Sequence, residues 1–261
     1  MQEQQTRSHA LMRILLLAVL SGTLTSAAPN NDPECSAEYL EKCAKDIFLW
    51  AGDIDGVEAP GDAAELAAFC KRQAAAEVCL RKRSEKCHSS VTKGFTRLLY
   101  DSIHEEYEQR CDATTDLHAD YLRLAPCIKQ MSPEMINCTI HFIITAHRAL
   151  DGDHGKSLRL KIPNACCTFA QFSSCAETAA RTRCDEDTAL FVRQYLDHTS
   201  GELLSFVCES YTADSDTCQK RLASKGFASS DEALQMVRQY GTRTMLGGLS
   251  KLSESLQAAR G

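Results

Sequence analysis

Cysteine is the residue type best placed to do chemistry in this 261-residue chain, and its pattern favours covalent cross-linking. Fourteen cysteines occur, at Cys35, Cys43, Cys70, Cys79, Cys87, Cys111, Cys127, Cys138, Cys166, Cys167, Cys175, Cys184, Cys208 and Cys218. Structural zinc would call for short Cys-x-x-Cys knuckles. Apart from the adjacent Cys166-Cys167, no two cysteines here lie closer than eight residues. An even number of cysteines behind an export-like start instead predicts oxidation to disulfides, with no metal site. The pattern also repeats: Cys43, Cys70, Cys79, Cys87 and Cys111 recur as Cys138, Cys166, Cys175, Cys184 and Cys208, displaced by 95, 96, 96, 97 and 97 residues. Asp55-Gly56 falls on Asp151-Gly152, and Phe95 and Arg97 fall on Phe191 and Arg193. One internal duplication accounts for all of these.

Other chemistry is weaker. Asp53, Asp55 and Glu58, with Asp151 and Asp153 at matching positions, offer hard oxygen ligands for calcium, but neither group has the carboxylate count or terminal bidentate glutamate of a full loop. Asp-Gly is also a favoured turn, the preferred reading. Among His104, His141, His147, His154 and His198, none has metalloprotease spacing, because His104-Glu105 lacks the second histidine four positions on. Serine nucleophile motifs of the Gly-x-Ser-x-Gly kind are absent. The run CCTFAQFSSC from Cys166 to Cys175 resembles the paired cysteines of secreted phospholipases, yet lacks the histidine and aspartate that would activate water. An eight-cysteine pattern with a central adjacent pair is similar to plant lipid-transfer proteins, but its Cys-x-Cys is missing. No catalytic residue and no cofactor is therefore assigned. Asn137-Cys138-Thr139 is a glycosylation sequon, in which sugar attachment at Asn137 competes with oxidation of Cys138.

The elements that position these cysteines read as helices. Leu40, Cys43, Ile47 and Phe48 follow one helix face, Leu66, Phe69, Cys70 and Gln73 another, and Val91, Phe95, Leu98, Leu99 and Ile103 a third. Asp62 with Glu65 predicts a capped helix start, and Ser132-Pro133 another. Ile140, Ile143, Ile144 and His147 share one face, and Val192, Tyr195, Leu196, Thr199, Leu203, Phe206 and Val207 form the longest stripe. On a continuous helix, Cys79 and Cys87 stand about 12 Å apart at 1.5 Å per residue, beyond the roughly 7 Å reach of a disulfide. These cysteines, like Cys175 and Cys184, must bond to neighbouring helices. Six cysteines per copy leave Cys167 and Cys218, which are expected to bond each other; the remaining connectivity is open. The expected architecture is all-α: residues 1-28 a signal peptide, 29-126 and 127-218 two tandem disulfide-stapled modules, and 219-261 a helical tail. In that tail Leu246, Leu249, Leu252 and Leu256 are spaced to dock on the second module, or to form a free amphipathic helix, with Gly241 and Gly247-Gly248 as points of mobility.

The export reading rests on Arg13, the apolar run Ile14 to Leu20 and the small residues Ser26, Ala27 and Ala28. Met12-Arg13 would make a better start for it than Met1. No later segment is long and apolar enough to span a membrane. A formal net charge of -6 disfavours nucleic acid, although Lys71, Arg72, Arg81, Lys82 and Arg83 could form a local basic patch.

With cysteines about eight residues apart, as at Cys35 to Cys43, Cys79 to Cys87 and Cys175 to Cys184, the stretch from Cys35 to Cys218 resembles the cysteine-rich secreted proteins of arthropods and nematodes, including the insect haemolymph glycoproteins. The resemblance implies a secreted helical protein and carries no catalytic residues. The expectation is a non-enzymatic extracellular protein that binds an unknown protein partner or carries a small apolar ligand. Its rivals are a secreted hydrolase with a scattered site and a defence or inhibitor protein.

Overall fold

A computed structural model describes residues 32–50, 52–56, 58–151, 158–222 and 230–258. The expected export segment, and the second acidic turn at Gly152 and Asp153 with His154, lie outside these residues. A short 3-10 helix, Pro33–Cys35, precedes ten α-helices: α1 Ala37–Ala44, α2 Ala63–Cys87, α3 Ser90–Cys111, α4 Asp116–Gln130, α5 Ser132–Asp151, α6 Leu158–Arg183, α7 Glu186–Cys208, α8 Asp216–Leu222, α9 Ser230–Tyr240 and α10 Met245–Ala258. The fold is all-α, without a strand among the described residues.

Helix starts follow capping chemistry. Asp62 accepts the Glu65 amide at 2.9 Å, while the Glu65 carboxylate turns back to the Gly61 amide at 2.8 Å. Ser36, Ser89, Thr115 and Asp185 cap α1, α3, α4 and α7 in the same way. Helices α2, α3, α7 and α6 pack in succession, with α1 on α2 and α5 on α6. Helix α10 lies against α1, α5 and α6, and α4 closes one end by touching α3, α5, α6 and α7. One hydrophobic core runs from Leu40 to Leu246. The division expected after residue 126 falls inside α4, whose exposed Pro126 is accommodated without ending the helix.

All fourteen cysteines are paired. In the first ladder Cys35 bonds Cys87, Cys43 bonds Cys79 and Cys70 bonds Cys111. In the second, Cys127 bonds Cys184, Cys138 bonds Cys175 and Cys166 bonds Cys208. Both therefore follow one connectivity: first with fifth, second with fourth, third with sixth. Cys167 bonds Cys218, clipping α8 to α6.

Two expectations need correction. Ile47 and Phe48 do not continue α1, which ends at Ala44; they begin a loop that dives into the core and buries Ile47, Leu49, Trp50 and Ile54. The leucine-bearing tail helix docks, as expected, on α5 and α6 of the second half, and it also reaches α1. Gly247 and Gly248 are packing residues rather than points of mobility, because a Cβ on Gly247 would overlap the Glu41 carboxylate and one on Gly248 would press on Phe142.

Candidate functional site

A buried loop is costly unless its peptide groups find partners. Here they find side chains from four helices. Gln73 of α2 donates to the Ile47 carbonyl at 2.9 Å, and the Tyr195 hydroxyl of α7 accepts the Leu49 amide at 2.9 Å. Ser132 of α5 accepts the Ala59 amide at 3.2 Å, and Tyr121 of α4 donates to the Pro60 carbonyl at 2.6 Å. Behind Gln73 sits a fully buried ion pair: Arg110 donates through Nε to Glu106 at 2.7 Å and through Nη2 to Gln73 Oε1 at 2.6 Å. The guanidinium stands over the rings of Phe69 and Tyr121. Burial works against the Arg110 charge, and Glu106 beside it outweighs this, so Arg110 is held more firmly protonated than usual. Burial pushes the Tyr121 and Tyr195 hydroxyls far above their ordinary range. These polar groups are committed to the loop or to one another. They form a clamp, and its members are hard to find from the sequence because Glu106 and Arg110, four apart, look like any surface helix pair.

Ser84 and His88 place Oγ and Nδ1 3.2 Å apart, within reach of a nucleophile and its base. On this pair the protons run the other way. Thr96 Oγ1 donates to the Thr92 carbonyl at 3.0 Å and therefore accepts from Ser84 Oγ at 2.6 Å. Ser84, its proton spent, must accept from His88 Nδ1, while His88 Nε2 accepts from Arg83 at 3.2 Å. A general base would have to take the serine proton rather than give one. Ser84 is also buried. Burial, then the charges of Arg83 and Lys93, lower the His88 pKa to about 4, keeping the ring neutral.

His104 is held between two carboxylates, Nδ1 at 2.8 Å from Glu77 and Nε2 at 3.2 Å from Glu108. The hydrogen bond to Glu77 raises its pKa despite some desolvation. When protonated, the ring donates to both carboxylates. His147 packs, stacked on Tyr240 at 4.1 Å with Nε2 2.9 Å from Thr242.

The acidic turn is a turn. Asp53 Oδ1 accepts the Asp55 amide at 3.0 Å, and both carboxylates pair with Arg243 of the tail segment. Glu58 instead lies 3.8 Å from Lys129. Among the described residues no group of histidine, cysteine and acidic side chains is arranged to hold a metal. Most of the basic run is neutralised: Arg72 pairs with Asp46, Arg81 with Glu77 and Asp101, Lys82 with Glu34, and Arg83 donates to the Cys35 carbonyl.

Two clefts, of about 450 and 240 Å³, share Glu58 and Arg72. They are open and rimmed by the Arg72–Asp46 and Lys129–Glu65 ion pairs, unlike the enclosed apolar space a carrier would use. Asn137 is exposed on α5. Its sequon partner Thr139 is buried and donates within the helix to Met135 at 3.0 Å, and Cys138 is bonded to Cys175. Among the described residues no helix is long and apolar enough to cross a membrane. Compared with family models, curated proteins and solved structures, the chain matches none of them.

Proposed function

We propose that this is a secreted, non-enzymatic interaction protein built from two copies of a disulfide-stapled helical unit, and that it engages another protein. The supporting observation is the full set of seven disulfides, six of them in one connectivity used twice. Such cross-linking persists in oxidising compartments outside the cytosol. A protein partner is favoured over a small apolar ligand because the two clefts are open and charged, whereas Phe95 and Leu98 stand exposed on α3. Asn137 receives its sugar, in this reading, before Cys138 closes onto Cys175, since the folded helix encloses Thr139.

Native mass spectrometry of the protein purified from its own extracellular fluid tests the proposal. The expected result is a chain lacking residues up to about Ala28, inert to alkylation before reduction, and free of bound lipid. Alkylated thiols in unreduced material, or a stoichiometric apolar ligand, would overturn it.

A further inference from the structure

Paired basic residues, which a protease with acidic subsites reads by charge, occur in this chain as Lys71-Arg72, Arg81-Lys82, Lys82-Arg83 and Lys220-Arg221. The fold treats them unequally. The first three lie inside α2, a helix of 25 residues. Arg72 pairs with Asp46 at 3.0 Å and stands over the Phe69 ring, Arg81 pairs with Glu77 and Asp101, and Arg83 is buried with its guanidinium donating to the Cys35 carbonyl. Disulfides from Cys70, Cys79 and Cys87 tie the same helix to its neighbours. Threading α2 through a protease would mean pulling Leu66, Phe69 and Leu80 out of the core.

Lys220-Arg221 stands elsewhere, in the last turn of α8, whose seven residues are too few to hold helical form without support. That support comes in the first turn, where Cys218 is buried and bonded to Cys167 of α6. Beyond it Gln219 and Lys220 are exposed, and the Lys220–Asp216 pair at 3.6 Å, with side chains 80% and 90% exposed, adds little. Such a turn opens readily, and a protease cuts what opens.

The chain after this turn is held without sulfur, since no cysteine follows Cys218. Helices α9 and α10 are seated by the buried Ala233, Val237, Met245 and Leu246, and by Arg243 pairing with Asp53 and Asp55. The Ile54 amide donates to the Arg243 carbonyl at 2.9 Å, and Glu41 of α1 accepts the Arg243 amide at 3.0 Å. A cut at the end of α8 therefore leaves a closed disulfide frame on one side and a docked pair of helices on the other.

We propose that the Arg221–Leu222 bond is a processing site, and that cutting it converts the secreted chain into a two-chain protein whose second chain, residues 222–261, stays seated by non-covalent contacts alone. The step is peptide hydrolysis: the C–N bond breaks, and one water gives its hydroxyl to the Arg221 carbonyl carbon and a proton to the Leu222 nitrogen. This rests on the secretory route proposed above, where the chain meets endoproteases of this class.

The probe is a purified endoprotease specific for Lys-Arg, applied to the full oxidised chain. A single cut after Arg221 is expected. The new fragment should co-elute with the rest in native gel filtration and separate from it in denaturant without reduction. Lys220→Ala/Arg221→Ala should resist the enzyme, and N-terminal sequencing of the protein from its own fluid should find a second start at Leu222. No cut in the folded chain, a cut after Arg72 or Arg83 ahead of it, separation of the pieces under native conditions, or native material with a single start each overturns the proposal. Loss of the export segment and resistance to alkylation are read independently, so the secretion reading and this one fail separately.

Discussion

His88 is kept neutral first by burial and then by the positive charges of Arg83 and Lys93, with Arg83 donating to Nε2. Its folded pKa of about 4 lies below the ordinary 6.5. The unfolded chain therefore binds the proton more readily, and the contribution of this residue to stability is present above pH 6.5 and lost as pH falls toward 4. Denaturant melts of the parent and of His88→Gln should converge across that window; parallel curves would show that His88 does not titrate as described. Arg110 and Glu106 are a stiffer case, buried to 0% and 2% side-chain exposure. Glu106→Ala strands a buried guanidinium and is expected to cost about 3–5 kcal/mol in urea unfolding. The pair replacement Glu106→Leu with Arg110→Met should cost much less, because the orphaned charge is gone. A double variant as unstable as the single one would mean that the pair's hydrogen bonds, not its charges, secure the core.

Among the helices, α7 contains a break that its apolar stripe conceals. Gly201 takes φ 71° and ψ 167° inside the helix, a region open essentially to glycine, and a Cβ there would lie 2.5 Å from Ser102 Oγ of α3. Gly201→Ala is expected to destabilise the fold by about 1–3 kcal/mol from backbone strain, read as a lower urea midpoint at unchanged slope. Loss confined to a few tenths would show that α7 straightens without penalty. Helix starts, by contrast, are legible in the sequence: Asp62 and Glu65 do what their spacing implies. The end of α1 is not, because Ile47 and Phe48 keep helical spacing while the chain has already left the helix. Their apolar side chains are satisfied by any buried setting, so periodicity alone does not distinguish a helix from a loop pressed into the core.

Across the molecule, seven cross-links restrict the unfolded chain more than any single packing contact. The clip Cys167–Cys218 has no counterpart in the first half. Replacing both with serine should lower stability by about 2–4 kcal/mol, the usual range for a lost disulfide, while leaving the helical circular dichroism intact. A loss of helix content would show instead that this clip is needed for the second half to fold. A further charge link joins α6 to α7, where Glu177 meets Arg193 and Arg181. The Arg193 hydrogen bond, joined by that of Arg181, outweighs desolvation and holds the Glu177 pKa at about 2 against 4.5. Its contribution is present above pH 4.5 and lost as pH falls toward 2. Glu177→Gln should therefore narrow its stability gap to the parent across that range in pH-dependent melts.

The helical class, the capped helix starts and the repeated cysteine ladder are written in the order of residues, because each depends on neighbours close along the chain or on a count. Which cysteine meets which, and that Cys79 and Cys87 reach different partners, required the helices to be laid side by side. The polar clamp around Gln73, Glu106 and Arg110, and the exposure of Phe95 beside the burial of Phe191, likewise exist only once the chain has folded. Burial is a property of what arrives from elsewhere in the chain, and similar local patterns acquire opposite surroundings in the two halves.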